Sequence, residues 1–420
     1  MVTDICLFEG ISYTKLLPLV YFRPVYDLKC GILRLRKKIT NAYPDAKVNL
    51  HCRGYLGDYL KEKNPSLHVN HLDTESCLFI NGQVIVDENF NKKIPLQGED
   101  KVYFCGDIIV AARMSGEKLE VIKRNLNDVF TNSDFDFLPR EEVVVNIVKY
   151  PWDLINNNGE QLRTDYKYLT KGKIKLINSD IRDNVHLLNR DNMFIDEGVV
   201  IKPSVVLDAE DGPIYIGKNV TILPNATIQG PVYIGDNTTI KMSATIYHNT
   251  TIGRVCKVGG EIEESIIHSF SNKQHDGFLG HSYLSPWVNL GAGTSNSDLK
   301  NNYGNVRLNI DGEYIDTQSQ FVGLFMGDHS KSAINTTFNT GTIVGICTNV
   351  FGAGFPSKYI PSYSWGGADA LTTYDLERSI EVARRVMARR SIHMSDADER
   401  LFRKVFDLTR EVRRKLGMPN

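Results

Sequence analysis

The sequence predicts two unlike halves, an α/β domain followed by a parallel β-helix that ends in helices. Isoleucine recurs every six residues from Ile216 through Ile222, Ile228, Ile234, Ile240, Ile246 and Ile252, and Val258 keeps the register. A helix would place apolar residues three and four apart and a half-buried strand two apart, so a period of six identifies a solenoid. Short apolar runs separated by helical or polar stretches fill the first third of the chain, and charged amphipathic segments close it.

At 420 residues the chain exceeds one compact core. Lys plus Arg (49) nearly balances Asp plus Glu (50), for a net charge of -1, which points to small molecules or proteins as partners and away from nucleic acid or an anionic membrane. Seven scattered cysteines include no CxxC pair, arguing against a disulfide framework or a zinc site. The N-terminus lacks the basic and apolar regions of a signal peptide and no stretch is apolar enough to span a membrane, so a cytoplasmic protein is expected.

Residues 1–150 read as α/β. The runs Ile5–Phe8, Cys77–Ile80, Lys101–Cys105 and Val143–Val148 alternate with stretches such as Gly31–Ala42, as expected of a mainly parallel sheet with covering helices. Residues 151–194 read as a linker over Pro151–Arg163, which carries an Asn run and a Gly, followed to about residue 190 by a helix and connecting arm.

Residues 195–365 carry the hexads, first at Ile195, Ile201 and Leu207. Small or β-branched residues lie four positions after the isoleucines (Val220, Ala226, Thr238, Ala244, Thr250, Cys256), with Gly, Pro, Asn or Asp at the corners. About three hexads complete a coil, no coil can bury its own apolar face, and the ends need caps. The period lapses after Val258, through HSFSNKQHDGFLGHSY, and resumes at Leu284 and Leu290. It lapses again through SNSDLKNNYGN before Met326, Ser332, Phe338, Val344 and Val350. Both lapses are expected to be projecting loops, where a site would be built. Cys256 and Cys347, at inward positions, read as packing residues.

Residues 366–420 read as helical. Leu376, Ile380, Ala383, Val386 and Met387 share one face and Leu401, Val405, Leu408 and Val412 another, so two amphipathic helices are expected to cap or flank the open end. The basic stretch Arg384–Arg390 reads as a solvated face.

Two segments carry chemistry. The first, LFEGISYTKLLPLVYFRPVYDL, has Gly10 after a strand, then Thr14, Lys15, Leu16, Pro18, Leu19 and Arg23-Pro24. It resembles the opening motif of sugar-1-phosphate nucleotidyltransferases. The resemblance implies a Rossmann-like domain in which backbone amides after Gly10 approach nucleotide phosphates while Lys15 and Arg23 neutralise charge. This chain departs from the motif at Ile11, Ser12 and Tyr13, which replace a glycine-richer loop, and at Val25, which stands where the family has a lysine. The family's Mg²⁺-holding Gly-Asp is matched by Gly82-Gln83, and Gln is a poor ligand for a hard cation. Asp107, in Gly106-Asp107, is the candidate metal ligand.

The second segment, Ser271–Gly304, places His275 upstream of Val288-Asn289-Leu290-Gly291-Ala292-Gly293-Thr294. This resembles the acetyltransferase half of the bifunctional GlmU type, which joins a nucleotidyltransferase to a left-handed β-helix, as this chain's order of segments does. In that family a histidine serves as general base. An amine must be neutral to attack a thioester, and neutral imidazole accepts its proton. The resemblance implies His275 as base, Asn289 as the residue orienting the amine and acetyl group, and a backbone amide near Ala292 polarising the carbonyl. Phe278 stands where the family has a tyrosine and Glu263 where it has a lysine, for which Lys257 or Lys273 could substitute. Lys300, Arg307 and Lys331 are alternative holders of a sugar phosphate, and Tyr303 lies in the same stretch. His281 and His329 are competing bases.

The resemblance implies acetyl transfer from acetyl-CoA to an amino sugar phosphate, nucleotidyl transfer from an NTP with Mg²⁺, a place in UDP-N-acetylglucosamine chemistry, and a homotrimer. Two other readings stay open. One is a nucleotidyltransferase whose β-helix is structural or regulatory, and the other is a non-catalytic nucleotide-sugar-binding scaffold.

Overall fold

The computed structural model describes residues 3–124, 126, 129–173, 179–310 and 312–418. The chain forms two compact units. One takes the chain up to Leu28, Leu33–Tyr150 and Ser395–Lys404, and the other takes Lys29–Ile32, Pro151–Met394 and the chain from Val405 onward.

The first unit is built on a seven-stranded sheet. Its order is His68–Val69, Lys47–Leu50, Asp4–Phe8, Ser76–Asn81, Ile108–Ser115, Lys101–Cys105 and Arg140–Glu142. The four strands from His68–Val69 to Ser76–Asn81 are parallel, but Ile108–Ser115 runs antiparallel to both its neighbours. The sheet is therefore mixed: a two-residue turn after Cys105 suffices for a hairpin, where a parallel connection would need a crossover. Within Val143–Val148 only Asn146–Ile147 is a strand, and it pairs with Val84–Ile85 apart from the main sheet. The helix expected within Gly31–Ala42 spans Leu35–Ala42.

In the second unit the hexads wind into three parallel faces. On one face the inward ladder runs Ile181, Ile201, Ile222, Ile240, Val258, Lys273 and Leu290. On the next it runs Leu187, Leu207, Ile228, Ile246, Ile262 and Leu279. The third ladder runs Ile195, Ile216, Ile234, Ile252, Ile267, Leu284, Met326, Val344 and Ile360. Apart from Lys273, these side chains form or pack against one continuous core, with Ile216, Ile234 and Ile252 fully enclosed. Burial of each such isoleucine contributes roughly 1.5–3 kcal/mol.

Three expectations need correcting here. The parallel ladders begin at Asp180–Ile181, ahead of Ile195, within the stretch read as a connecting arm; residues 174–178 of that arm lie outside the described residues. The Asn-rich segment is helical, in Pro151–Asn156 and Asn158–Thr170. Its asparagine works as an anchor: Asn158 Nδ2 donates to the carbonyl of Asn249 at 2.6 Å, and its Oδ1 accepts from the Gly31 amide at 2.7 Å and from Thr251 Oγ1 at 3.1 Å. Gly159 permits this approach, since a Cβ there would fall 2.1 Å from Asn249 Oδ1.

The third correction concerns the lapse after Val258, which is not a projecting loop. The ladders continue through Ile262, Ile267, Lys273 and Leu279. What changes is corner length: Ile240 and Ile246 are six apart, whereas only Gly259, Gly260 and Glu261 separate Val258 from Ile262. The second lapse starts on the coil, where Ser295–Asn296 pairs with Thr337–Phe338, then leaves it, and the antiparallel hairpin Arg307–Ile310 with Glu313–Asp316 follows before the coil resumes.

The helices Leu376–Ala388, Asp396–Leu408 and Arg410–Lys415 end the chain. Ile380, Ala383 and Met387 are buried as their spacing requires. The second stripe breaks at Leu408, which is 47% exposed, and Arg413 is buried in its place, its guanidinium over the rings of Phe406 and Tyr363.

Truncating Ile234 to alanine in the enclosed ladder is expected to cost about 2–5 kcal/mol. Urea unfolding of the full chain measures this loss.

Candidate functional site

Every inward residue of the first ladder is followed by a corner, and the corners stack. Two positions beyond Ile240, Val258, Lys273, Leu290 and Ser332 stand Met242, Gly260, His275, Ala292 and Ile334. An open groove of about 510 Å³ follows this column, lined by Lys241, Met242, His275, Asp276, Ala292 and Ile334 among others. The glycines beside Ala292 keep it bare. Gly293 sits at φ +71°, where a Cβ would strike Asn335 Oδ1 at 2.2 Å, and a Cβ on Gly291 would meet the Ala333 backbone at 2.5 Å.

His275 is exposed, and its imidazole makes no hydrogen bond among the described residues. The corner around it is well tied. The Gly293 amide donates to the Asp276 carbonyl at 3.1 Å, and the Asn335 amide donates to the Ala292 carbonyl at 2.7 Å. Ala292 N–H engages no acceptor among the described residues. The groove therefore joins a free imidazole to a free backbone donor, the parts needed to take a proton and steady a developing oxyanion.

The other sequence candidates fall in different places. Asn289 lies on the strand leading into the Ala292 corner, half-buried, its Oδ1 accepting from Asn272 Nδ2 at 3.4 Å. Lys273 does not face a ligand. It occupies an inward ladder position at 1% exposure, and burial pulls its ammonium down to about 8 from its ordinary 10.5. Phe278 lies in a strand of the second face, with its ring over Gly280. Lys300 and Tyr303 belong to the excursion: Lys300 bonds the Asn305 carbonyl, and Tyr303 is 66% exposed. None of Asn289, Lys273, Phe278, Lys300 or Tyr303 lines the groove.

The competing histidines are engaged. His281 Nδ1 lies 2.8 Å from Asp298 Oδ2, its Nε2 lies 3.5 Å from Glu264 Oε2, and Glu264 Oε1 meets His248 Nε2 at 3.1 Å. These four side chains stand on successive corners at another edge of the coil, and the Phe321 ring stacks on His281. His329 is buried against Trp287. The groove residues Lys241, Met242, Ile334 and Asn335 escaped the sequence reading, although a fixed offset from the inward ladder marks them.

In the first unit Gly10 follows the strand Asp4–Phe8 and opens the turn Ile11–Leu16. Glu9 and Arg53 form a buried ion pair at 3.0 Å, and Glu9 Oε1 accepts from the Val25 amide. Arg23 is 8% exposed and donates to the Leu19 carbonyl at 2.7 Å, so this guanidinium serves its own turn. Lys15 is exposed beside the Tyr150 ring. Gln83 is enclosed, accepting from Ser12 Oγ at 2.5 Å and donating to the Val148 carbonyl at 2.8 Å, a clamp where the family pattern places a metal ligand. Asp107 lies exposed on the turn between Lys101–Cys105 and Ile108–Ser115. Among the described residues no group of three or more His, Cys, Asp or Glu side chains is disposed to hold a metal ion.

The fold and groove define a class, a parallel hexapeptide solenoid joined to an α/β domain. Residues 5–174 match the family of sugar nucleotidyl transferases, and residues 213–248 match six repeats of the bacterial transferase hexapeptide, so the chain joins a sugar nucleotidyltransferase domain to hexapeptide repeats. It is 31% identical over 97 residues to a bifunctional sugar-1-phosphate nucleotidylyltransferase/acetyltransferase of Sulfurisphaera tokodaii, covering 23% of this chain and 24% of that protein. It is 26% identical over 260 residues to the bifunctional protein GlmU of Methanocaldococcus jannaschii, covering 62% of this chain and 50% of that protein. The chain thus spans half or less of the length of these relatives. A solved UDP-N-acetylglucosamine acyltransferase from Campylobacter jejuni aligns with 54% of this chain and 94% of its own at 13% identity, with a TM-score of 0.25.

His281→Ala is expected to destabilise the solenoid by about 1–3 kcal/mol, because the buried Asp298 carboxylate loses the imidazole it meets at 2.8 Å. Chemical denaturation measures it, and no loss would show the four-residue line to be decorative.

Proposed function

We propose that the solenoid transfers an acetyl group from acetyl-CoA to the amine of an amino sugar phosphate, with His275 as general base. The free, exposed imidazole on the groove beside an unengaged Ala292 amide carries this reading. The amine attacks the thioester carbonyl to form the C–N bond, His275 accepts the amine proton, Ala292 N–H donates to the carbonyl oxygen as negative charge develops there, and the C–S bond breaks with the proton passing from the imidazolium to sulfur so that CoA leaves as the thiol. Asn289, on the strand entering that corner and outside the groove lining, would orient the acceptor only from the rim, the role that the family resemblance implies for it. The exposed Met242 and Ile334 offer apolar surface along which a pantetheine arm can lie. Lys300 and Tyr303 of the excursion would contact a sugar phosphate, and a homotrimer would set such an edge against a neighbouring copy. A cytoplasmic setting fits the substrates, and no helix among the described residues is long and apolar enough to cross a membrane.

A second reading, nucleotidyl transfer from an NTP to a sugar 1-phosphate in the first unit, draws on the family match over residues 5–174. Gly10, the turn after it and Lys15 would meet the phosphates. Asp107 offers one hard oxygen donor, compatible with Mg²⁺ that arrives on nucleotide phosphates and not with a metal held by the protein alone. UDP-N-acetylglucosamine would be the combined product of the two reactions.

With glucosamine-1-phosphate and acetyl-CoA the protein should release free thiol, and His275→Ala should lower the rate about 10²–10⁴-fold while His281→Ala retains it. Absence of thiol release with every amino sugar phosphate tried would sink the acyltransferase reading. Pyrophosphate release from UTP and N-acetylglucosamine-1-phosphate reports separately on the first unit.

A further inference from the structure

A lysine in the wall of an apolar coil requires an explanation. Lys273 follows Val258 and precedes Leu290 in an inward ladder otherwise made of Ile, Val and Leu up to that point, and it is 1% exposed. Its Nζ does not stop in the apolar interior. It turns into the corner ahead and donates to the carbonyl of His275 at 2.9 Å and to the carbonyl of Gly259 at 3.2 Å. The corner of the preceding coil is shaped around it: Gly260 sits at φ +74°, and a Cβ there would fall 2.6 Å from Nζ, 2.7 Å from the His275 carbonyl and 2.8 Å from the Gly277 carbonyl. A side chain at position 260 would occupy the space in which the ammonium and these carbonyls meet.

We infer that Lys273 is a positioning residue: its buried ammonium pins the backbone of His275 to the Gly259–Gly260 corner and so fixes the imidazole in the groove. Two carbonyls that would otherwise point into a glycine-only turn share one donor, and a charged donor makes the stronger bond. Lysine suits the position because its stem replaces an aliphatic side chain in the ladder while its head reaches the corner. The charged groups around it are Glu261 and Asp276, whose carboxylates favour the protonated form, Lys241, whose stem packs at Gly259, and Lys257 on the adjoining strand. The inference rests on the acyltransferase reading for its kinetic consequence and on the geometry alone for its structural one.

The two consequences move in opposite directions with pH. Burial lowers the ammonium to about 8, below its unfolded 10.5, so from pH 8 to 10.5 the unfolded chain binds more protons and stability from this group rises with pH. Over the same range the ammonium is lost and the hold on His275 weakens. A residue serving packing alone would not separate stability from the state of His275.

The test uses the full chain with ¹³C-labelled histidine, in which the His275 ring signal is assigned by its loss in His275→Ala. In the unmodified protein this signal should show an inflection near pH 8 that is absent from Lys273→Met. Lys273→Met should keep its thermal midpoint within a few degrees of the parent, since Met fills the same volume without a buried charge. Its kcat for thiol release should fall at least about tenfold, with KM for acetyl-CoA changed less than about threefold. A His275 signal that titrates identically in the parent and in folded Lys273→Met would overturn the inference. Should Lys273→Met not fold, a parent titration lacking the inflection near pH 8 overturns it equally. If the parent releases no thiol, the functional reading fails while the His275 titration still decides the role of Lys273.

Discussion

The constraint on which the second unit depends is that no coil of a solenoid can bury its own inward edge. Each isoleucine becomes core only because the same position on the coil before and after it is apolar, and parallel backbone bonds hold successive coils in one register. That register is the source of the groove's order. Because Ile240, Val258, Lys273 and Leu290 must stack, the residues two positions later must stack as well, and Met242, Gly260, His275 and Ala292 become neighbours without any contact of their own to bring them together. An imidazole, an unengaged backbone amide and apolar surface are thus delivered to one edge by a rule that concerns packing alone.

The three edges of the coil use this rule differently. One carries the open groove. Another carries the closed line His248, Glu264, His281 and Asp298, in which each imidazole or carboxylate finds its partner on the next coil. The third stacks Phe270 on Trp287 and Trp287 near His329, with Arg254 over Phe270. The same ladder geometry therefore yields a paired polar edge, an aromatic edge and an edge whose imidazole and amide are left without partners among the described residues, and the last is the candidate site.

How much of this was legible depends on what each residue had to satisfy. The isoleucine repeat was legible because inward packing admits few side chains, and Cys256 was read as packing for the same reason. The continuation after Val258 was hidden, because corner length is not fixed by packing and a lysine held an inward position. The Asn-rich segment misled, since composition marks a turn or linker equally well whether an asparagine is solvated or, like Asn158, anchors one element on another through three hydrogen bonds. His275 and Ala292 were reachable by resemblance, whereas Met242 and Ile334 needed only the offset from the ladder. In the first unit Gln83 and Arg23 occupied expected ligand positions, and only three-dimensional partners revealed that both side chains are committed to the protein's own backbone.

The short corner at Gly259–Gly260 has a consequence for how such a site can arise. The coil passing through Val258 gives up two residues at the edge where Met242 lies on one side and His275 on the other, while its strands stay in register. The groove is a notch, made by what the chain leaves out. A uniform solenoid can acquire a cavity by deletion at a corner, with no new element and no disturbance of the core. Insertion of two residues beside Gly259 would return the edge to an unbroken wall.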